Sequence, residues 1–251
     1  MSDVVTVAEV HAGVGLVVMA DRVNKNTFTA EFALGLAGAF DEVGSDERYK
    51  AVVLTGYGNY FCSGGTRDAL LDIQAGKSTF LTESGPNLYT LPLDCPIPVI
   101  SAMQGHAIGG GLTMGLFADF VIMAKESIYT ANFMKYGFTP GFGSTYVFPA
   151  KLGQPLAVDL LLTARTFRGA DLAARGVPFE VHPRKDVLDV ALDLARNLAE
   201  KPRRSLVTLK NQLAREVRER LPGAIETELS MHDVTFKQPE VKDLLMSRYD
   251  G

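Results

Sequence analysis

The sequence contains two glycine-rich turns, each of which follows a short apolar run. The first is VVLTGYGNYFCSGGTRD, and the second is VISAMQGHAIGGGLTMG, with three consecutive glycines at residues 109–111. The first amides of a helix have no partner within the helix, and glycine lets a ligand approach such a backbone closely. Two amides, one from each turn, could therefore bind one developing negative oxygen as an oxyanion hole. A triple glycine can also serve only tight packing, but two equivalent turns favour the catalytic interpretation.

His232 is the candidate proton donor. Ile225, Leu229, His232 and Phe236 recur at helical spacing in AIETELSMHDVTF, so the histidine interrupts a buried helical face. A buried imidazole with a pKa near neutrality could donate a proton to a reaction intermediate. On spacing alone, a structural histidine in a helix interface explains the pattern equally well.

The elements that would position these groups alternate between strands and helices in the first part of the chain. VVTVAEVHAGVGLVVMA indicates two strands, and TAEFALGLAGAFDEV indicates a helix capped by Thr29. KAVVLTG, IPVISAMQG and FVIMAKESIYTA indicate further strands. After about residue 153, four segments with helical spacing follow, separated by proline or glycine. The alternation predicts an α/β fold, and the last fifty residues are expected to form an all-helical appendage to it.

The composition argues against several other classes of protein. The chain has 251 residues, of which 47% are hydrophobic, and a net charge of −4, so we expect no nucleic-acid or membrane partner. Cys62 and Cys95 fit neither a metal cluster nor a disulfide framework. Since no signal peptide and no spanning apolar run is visible, we expect a cytoplasmic protein. The glycine turns lack the spacings of nucleotide-binding loops, and no G-x-S-x-G elbow is present.

Several motifs together resemble a known family. DRVNKNTF, AVVLTG, YFCSGGTRD, PVISAMQGHAIGGG, ADFVIMA and GFTPGFGSTYVFPAKLG resemble the crotonase superfamily of enoyl-CoA hydratases and isomerases over nearly the whole chain. The resemblance implies a crotonase fold, with a spiral core of repeated ββα turns over residues 1–197 and a C-terminal helical oligomerisation region over residues 198–251. It also implies trimers or hexamers, a thioester substrate carried on phosphopantetheine, and Gly65 and Gly110 as the two oxyanion-hole residues.

The chain departs from the family's hydratases at the two positions that carry their glutamates. These positions are Thr113 and Phe133 here, and neither side chain transfers a proton as a carboxylate does. Classical hydration is therefore not expected. An oxyanion hole with a separate proton donor fits decarboxylation instead, because loss of CO2 from a vinylogous carboxylate leaves a dienolate that the hole stabilises.

The regions MHDVTF and TANFMKYGFTPG resemble in particular the decarboxylases of polyketide β-branching cassettes, which act on 3-methylglutaconyl groups on an acyl carrier protein. This resemblance implies a functional His232. Those relatives also use a lysine and a tyrosine after the first glycine motif, but strict offset places Ile73 and Ala69 at these positions. Lys77 could take the lysine's place after a shift of the loop, although a surface role explains it as well.

Four further residues are candidates for substrate binding. Tyr136 could line the pocket, as could Tyr89, and Asn132 could hydrogen-bond the substrate or simply fix a turn. Lys25 lies where chains of this family meet the pantetheine arm, although an exposed turn lysine is the plainer interpretation. Residues 201–220 carry seven basic and two acidic residues, which could dock an acidic carrier protein or form an ordinary solvated helix face.

The sequence therefore predicts a decarboxylase of a 3-methylglutaconyl-type thioester. Gly65 and Gly110 would bind the enolate oxygen and His232 would protonate the dienolate, with no metal or nucleotide cofactor implied. A double-bond isomerase is the enzymatic alternative, and a non-catalytic scaffold that holds carrier-bound intermediates is the alternative from another class. The sequence does not distinguish a carrier-protein thioester from a CoA thioester.

Overall fold

The structure is a computed structural model that describes residues 4–78 and 87–249. The strands in this part of the chain are β1 (Val5–His11), β2 (Val14–Met19), β3 (Ala51–Thr55), β4 (Tyr60–Cys62), β5 (Val99–Met103), β6 (His106–Ile108), β7 (Phe120–Ala124), β8 (Ile128–Thr130), β9 (Phe167–Arg168) and β10 (Glu180–His182). The α-helices are α1 (Ala30–Ser45), α2 (Arg67–Gln74), α3 (Leu91–Asp94), α4 (Gly110–Leu116), α5 (Ser144–Leu152), α6 (Gln154–Thr163), α7 (Gly169–Ala174), α8 (Val187–Ala199), α9 (Arg203–Thr235) and α10 (Pro239–Arg248). Two 3-10 helices span Asn132–Tyr136 and Arg184–Asp186.

The strands form two sheets that the chain visits alternately. A six-stranded sheet has the order β1-β2-β3-β5-β7-β10, and a four-stranded sheet has the order β4-β6-β8-β9. The pairs β3/β4, β5/β6 and β7/β8 each place their first strand in the larger sheet and their second in the smaller one, and each pair leads into a helical segment. The predicted α/β fold with repeated ββα turns is confirmed.

The central strands β3 and β5 of the larger sheet are buried on both faces, as their apolar sequences predict. One face packs against α8, whose buried side chains are mostly alanines, together with Val187. The other face packs against the main core, to which α1 contributes Phe32, Leu36 and Val43. The predicted cap of α1 is confirmed, because the Thr29 hydroxyl accepts a hydrogen bond from the Phe32 amide at 3.2 Å.

Helix α9 differs from the sequence-based expectation. The proline and glycine at residues 222 and 223 predicted two separate helices, but one helix runs from Arg203 to Thr235, so this prediction is wrong. A proline inside a helix removes one hydrogen bond and strains the preceding turn. Here Pro222 faces solvent, where water can bind the released carbonyl, while the neighbouring Leu221 is buried in the core. Packing on both sides of the proline therefore outweighs the tendency of proline to interrupt a helix.

A buried cation fixes α9 to the core. Lys210 is 3% exposed, donates to the carbonyls of Pro92 and Ile97 at 2.9 Å, and forms an ion pair with Asp119 at 2.7 Å. Asp119 also accepts from the Val99 amide, so this carboxylate has a structural role. Three of the seven basic residues at 201–220 bind main-chain carbonyls elsewhere in the chain: Arg203, Lys210 and Arg218. The solvated basic face is accordingly smaller than the sequence suggests.

The C-terminal helices share the core of the ββα region. Ala214 and Leu221 from α9, and Val241 and Leu245 from α10, belong to the same hydrophobic cluster as the strands. The division at residues 197/198 and the oligomerising role of the C-terminal region stay predictions. Among the residues that the structure describes, no helix has the length and hydropathy needed to cross a membrane.

Candidate active site

The two glycine turns meet because of strand pairing. β4 and β6 are parallel neighbours, so their carboxyl ends lie at the same edge of the smaller sheet. Gly64 and Gly65 follow β4, and Gly109 and Gly110 follow β6 and begin α4. A Cβ on Gly64 would lie 3.3 Å from the Gly110 nitrogen. The backbones of the two turns are therefore in direct contact.

The three consecutive glycines are needed for three different reasons. Gly109 has φ +53° and would place a Cβ 2.5 Å from the Asn132 Oδ1, so its backbone conformation and its neighbour both exclude a side chain. Gly111 would place a Cβ 2.3 Å from the Cys62 carbonyl oxygen, so it permits close packing of α4 on β4. Gly110 leaves space inside a cavity, since its Cβ would meet the Phe28 and Tyr89 rings at 2.9 and 3.0 Å.

Gly65 and Gly110 line the same cavity, which has a volume of about 910 Å³. At the start of α4, the Gly110 amide has no acceptor within its helix. The lining includes the aromatic side chains Phe28, Tyr60, Tyr89, Phe133, Tyr136, Phe138, Phe142 and Tyr249. Among the described lining residues there is no aspartate or glutamate, whereas Lys25 and Lys135 contribute positive charge. The cavity suits a largely apolar ligand that carries negative charge.

The positions that carry glutamates in hydratases are filled by groups that cannot exchange protons as carboxylates do. The hydroxyl of Thr113 is fully buried and hydrogen-bonds to the Gly109 carbonyl at 3.2 Å and to the Ser144 hydroxyl at 2.8 Å. Phe133 contributes its ring to the cavity wall. Both observations agree with the expectation that the site does not carry out classical hydration.

An aromatic cluster covers the Gly110 backbone. Phe28 meets Tyr89 edge to face, with ring centroids 5.0 Å apart, and Tyr89 stacks on Phe142 at 3.6 Å. All three line the cavity. Burial raises the pKa of the Tyr89 hydroxyl well above its usual value, so this tyrosine is neutral at physiological pH. The sequence indicated that Tyr89 lines the pocket, but it gave no sign that Phe142 does.

Lys25 reaches the cavity from a rigid turn. The fully buried Asn26 side chain donates to the carbonyls of Met19 and Phe61 and accepts from the Asp21 amide. Both Lys25 and Asn26 have left-handed backbone angles, with φ of 54° and 55°, a conformation that asparagine tolerates better than most residues. The Asn26 anchor thus places Lys25 at the cavity wall, where its predicted role in substrate binding stays a prediction.

Asn132 and Tyr136 line the cavity together, as the sequence suggested. The Asn132 amide nitrogen lies 3.3 Å from the Tyr136 hydroxyl, and its oxygen faces Gly109. Tyr249, which the sequence did not indicate, stacks on Tyr136 and donates its hydroxyl to the Gly65 carbonyl at 2.5 Å. A residue beyond α10 thus contacts the first glycine turn directly.

His232 lies behind one wall of the cavity. Its imidazole is 6% exposed and is held by the Thr139 carbonyl, 2.9 Å from Nε2. It also packs on Gly141, where a Cβ would lie 2.5 Å from the imidazole Cε1. His232 is not among the described lining residues, whereas Phe138 and Phe142, on either side of the segment it contacts, are. One loop therefore separates the predicted proton donor from the cavity.

Lys77 is a predicted site residue that is not among the described residues of the cavity wall. Its side chain is 73% exposed and forms an ion pair with Asp72 at 3.7 Å. The next residue, Ser78, lines the cavity, as do Ala69 and Ile73 at the positions where relatives use a tyrosine and a lysine. Residues 79–86, which follow, lie outside the described part of the chain.

The buried state of His232 predicts a pH effect on stability. Burial lowers the pKa of His232 below its usual value, while hydrogen bonds to the main chain of Thr139 and Pro140 and the charge of Asp233 oppose the shift. Between the lowered value and the unfolded value of about 6.5, the unfolded chain binds more protons at this site, so stability falls as pH falls. We expect the free energy of unfolding of the wild type to drop relative to H232Q between pH 7.5 and pH 5.5. Urea unfolding of both proteins measures the difference, and parallel pH profiles would contradict it.

Comparison with known proteins gives consistent matches. Residues 9–250 match the family described as enoyl-CoA hydratase/isomerase. The chain is 55% identical, over 98% of both chains, to the bacillaene synthase decarboxylase PksI of Bacillus subtilis (strain 168). A solved structure of a dehydratase/decarboxylase enzyme couple involved in polyketide β-branching matches 99% of this chain and 97% of its own, with TM-score 0.96 and 55% identity. The decarboxylase domain of CurF from Lyngbya majuscula matches 97% of this chain and 98% of its own, with TM-score 0.92 and 44% identity.

Proposed function

Because the chain belongs to the enoyl-CoA hydratase/isomerase family, the crotonase superfamily, we propose that its cavity decarboxylates a 3-methylglutaconyl-type thioester on an acyl carrier protein. Decarboxylation in polyketide β-branching is the activity that the relatives at 55% and 44% identity support. The proposal adds the substrate class, the carrier and the roles of individual residues. The observation that carries it is that two glycine turns meet at the wall of one cavity whose described lining has no acidic side chain.

In the proposed reaction, the thioester oxygen lies between the amides of Gly65 and Gly110. The bond between the γ-carbon and the carboxylate breaks, CO2 leaves, and the bonding electrons pass into a dienolate whose oxygen carries the negative charge. Preorganised amides stabilise such an oxygen by about 2.7–4 kcal/mol per donor. His232 supplies the proton that converts the dienolate to the product. The balance of atoms and electrons requires no metal and no redox cofactor.

The cavity lining supports loss of CO2 over its alternatives. A carboxylate surrounded by aromatic rings loses hydration, and the same rings accommodate the charge-delocalised dienolate. Lys25 and Lys135 lie at the cavity, where they can attract the anionic substrate without enclosing its carboxylate. Tight binding of that carboxylate would stabilise the ground state and slow the reaction. Two lysines on a largely apolar wall avoid this effect.

The acyl carrier protein and a homo-oligomer are the proposed partners. Acyl carrier proteins are acidic, and the solvated part of the basic run at residues 201–220 offers complementary charge. Leu209 and Leu213 on α9 are 57% and 72% exposed, and such neighbouring apolar side chains are typical of surfaces that a second chain covers. We propose a trimer or a hexamer in which Leu209 and Leu213 are covered and the solvated basic side chains stay accessible to the carrier protein.

Intact mass spectrometry tests the proposed reaction. Purified protein is incubated with 3-methylglutaconyl-carrier protein, and we expect the acyl group to lose the mass of one CO2. The same reaction with the CoA thioester at matched concentration distinguishes the two carriers, and we expect the carrier-bound substrate to react faster. G110A serves as the control, since it changes the proposed oxyanion hole.

Two other outcomes would contradict the proposal. An unchanged mass with a shifted absorbance of the enoyl group identifies a double-bond isomerase. Tight binding of the acylated carrier with neither change, unaffected by H232Q, identifies a non-catalytic scaffold.

A further inference from the structure

Helix α9 contains a buried carboxylate to which the proposed reaction gives no role. Glu228 is 1% exposed. Its two oxygens accept hydrogen bonds from the Gly143 amide at 2.6 Å, the Thr145 amide at 2.7 Å and the Thr145 hydroxyl at 2.6 Å. Burial raises the pKa of this carboxyl, and the hydrogen bonds from Thr145 and Gly143 oppose the shift. A carboxylate that is this deeply buried needs such partners.

The three donors belong to the start of α5, which lacks a cap of its own. Its N-cap residue is Gly143, which has no side chain to accept from the first amides of the helix. Glu228 provides that acceptor from another helix, at the end of α5 where a negative charge is favoured by the helix dipole. The sequence separation of 85 residues between Glu228 and Gly143 makes this a tertiary contact rather than local capping.

The capped turn holds Phe142 in an unusual conformation. Phe142 has φ +66°, a left-handed backbone angle that is unfavourable for a phenylalanine. Gly143, which follows, has φ +80°. Such a conformation persists only when the surroundings determine it, and the hydrogen bond from the Gly143 amide to Glu228 lies directly after the strained residue. The Phe142 ring then stacks on Tyr89 in the cavity.

Helix α9 contacts this turn through three of its side chains. Leu221, Glu228 and His232 are separated by seven and four residues, so they lie on one face of the helix. A Cβ on Gly143 would lie 2.5 Å from the Leu221 Cδ1, and one on Gly141 would lie 2.5 Å from the His232 Cε1. Glu228 lies between these two contacts and binds the turn by hydrogen bonds. Glu228 is therefore the residue that hydrogen-bonds to the turn from the same face of α9 on which His232 lies.

We propose that Glu228 is a positioning residue for the decarboxylation, because its carboxylate caps α5 and thereby holds Phe142 against Tyr89, over the Gly110 backbone. This inference rests on the proposed function. Glu228 is not among the described residues of the cavity wall, so it acts through Phe142 and not on the substrate. A displacement of about 1 Å in groups that orient a substrate can reduce turnover by about 10²-fold.

Replacement of Glu228 by glutamine tests the inference. E228Q preserves the volume but turns an NH2 group towards one of the donors of α5, so we expect kcat to fall about 10–100-fold with a smaller change in KM. E226Q is the matched control, because Glu226 lies on the same helix and is exposed; we expect its kcat to equal that of the wild type. A wild-type kcat in folded E228Q would overturn the inference.

A double-mutant cycle identifies Phe142 as the intermediary. If Glu228 acts through Phe142, then E228Q lowers kcat much less in an F142L background than in the wild type. Fully additive effects of E228Q and F142L would contradict this route. A merely structural role of Glu228 would lower stability without producing this coupling in kcat.

Hydrogen exchange separates this inference from the proposed function. E228Q should speed exchange at the Gly143 amide or at the Thr145 amide, whichever faces the NH2 group, while E226Q should not, and neither result depends on any activity. A wild type that fails to decarboxylate the substrate would overturn the proposed function, and unchanged exchange in E228Q would overturn the capping role itself. If E228Q does not fold, T145V removes one of the three donors and should show the same effects at smaller size.

Discussion

Replacing Gly110 by alanine should lower kcat by about 10²–10³-fold while the protein stays folded. The added methyl group would lie 2.9 Å from the Phe28 Cε2 and 3.0 Å from the Tyr89 Cε1, so these rings must shift or the backbone must move. Either response changes the position of the Gly110 amide relative to the thioester oxygen. The oxyanion is stabilised only when the donor reaches it at hydrogen-bond distance, so the loss should fall mainly on kcat. Steady-state release of CO2 from the carrier-bound substrate measures it.

Two further glycine variants define what this result means. G38A, in the middle of α1, adds a methyl group that meets nothing within 4 Å, so it should keep the wild-type activity and stabilise the helix by about 0.8–1 kcal/mol. G111A would place its methyl group 2.3 Å from the Cys62 carbonyl oxygen and should lose stability as well as activity. A G110A protein that is folded and turns over at the wild-type rate would exclude Gly110 from the oxyanion hole.

The meeting of the two glycine turns could be predicted from the sequence because each turn is recognisable within its own segment. Each turn follows an apolar strand of a repeated ββα unit, and the carboxyl ends of parallel neighbours share one edge. The separate requirements at Gly109, Gly110 and Gly111 could not be predicted, since each depends on a group distant in the chain. Asn132, Tyr89 and Cys62 respectively impose these requirements, and spacing within one motif carries no information about them.

The contact of Glu228 with the 139–145 turn is another feature that the sequence did not predict. Residues 127–150 contain no aspartate or glutamate, which agrees with the loss of hydratase chemistry. It did not show that Glu228 reaches this turn from α9. A signal existed, because Glu228 lies four residues before His232, on the same helical face. A charged residue on a face assigned to the interior indicates a buried polar contact.

The break predicted at Pro222 shows why local preferences failed in α9. A proline disfavours a helix locally, but Leu221 and Glu228 are both buried against the 139–145 turn. If the helix ended at the proline, Glu228 and His232 would lose their common face with Leu221. The tertiary contacts of that face therefore decide the local structure, and only the folded chain contains them.

Replacing His232 by glutamine should lower kcat by about 10²–10⁴-fold, the usual contribution of a general acid. Glutamine can still donate to the Thr139 carbonyl, so the turn should keep its position while the titratable group is lost. In the wild type, we expect kcat to fall as pH rises through the pKa of His232, which burial holds below its usual value. H232Q should lose this limb of the pH profile. Unchanged turnover would exclude His232 from the reaction.

The position of His232 behind the cavity wall makes this prediction specific. For the imidazole to protonate the dienolate, the segment between Phe138 and Phe142 must give it access to the cavity, because both phenylalanines line that wall. The segment has a glycine, Gly141, where it crosses the imidazole, and a Cβ there would overlap His232. G141A should therefore displace the histidine and reproduce the loss of the pH limb without removing the imidazole. If G141A instead keeps the wild-type profile while H232Q loses it, the imidazole reaches the cavity by another route.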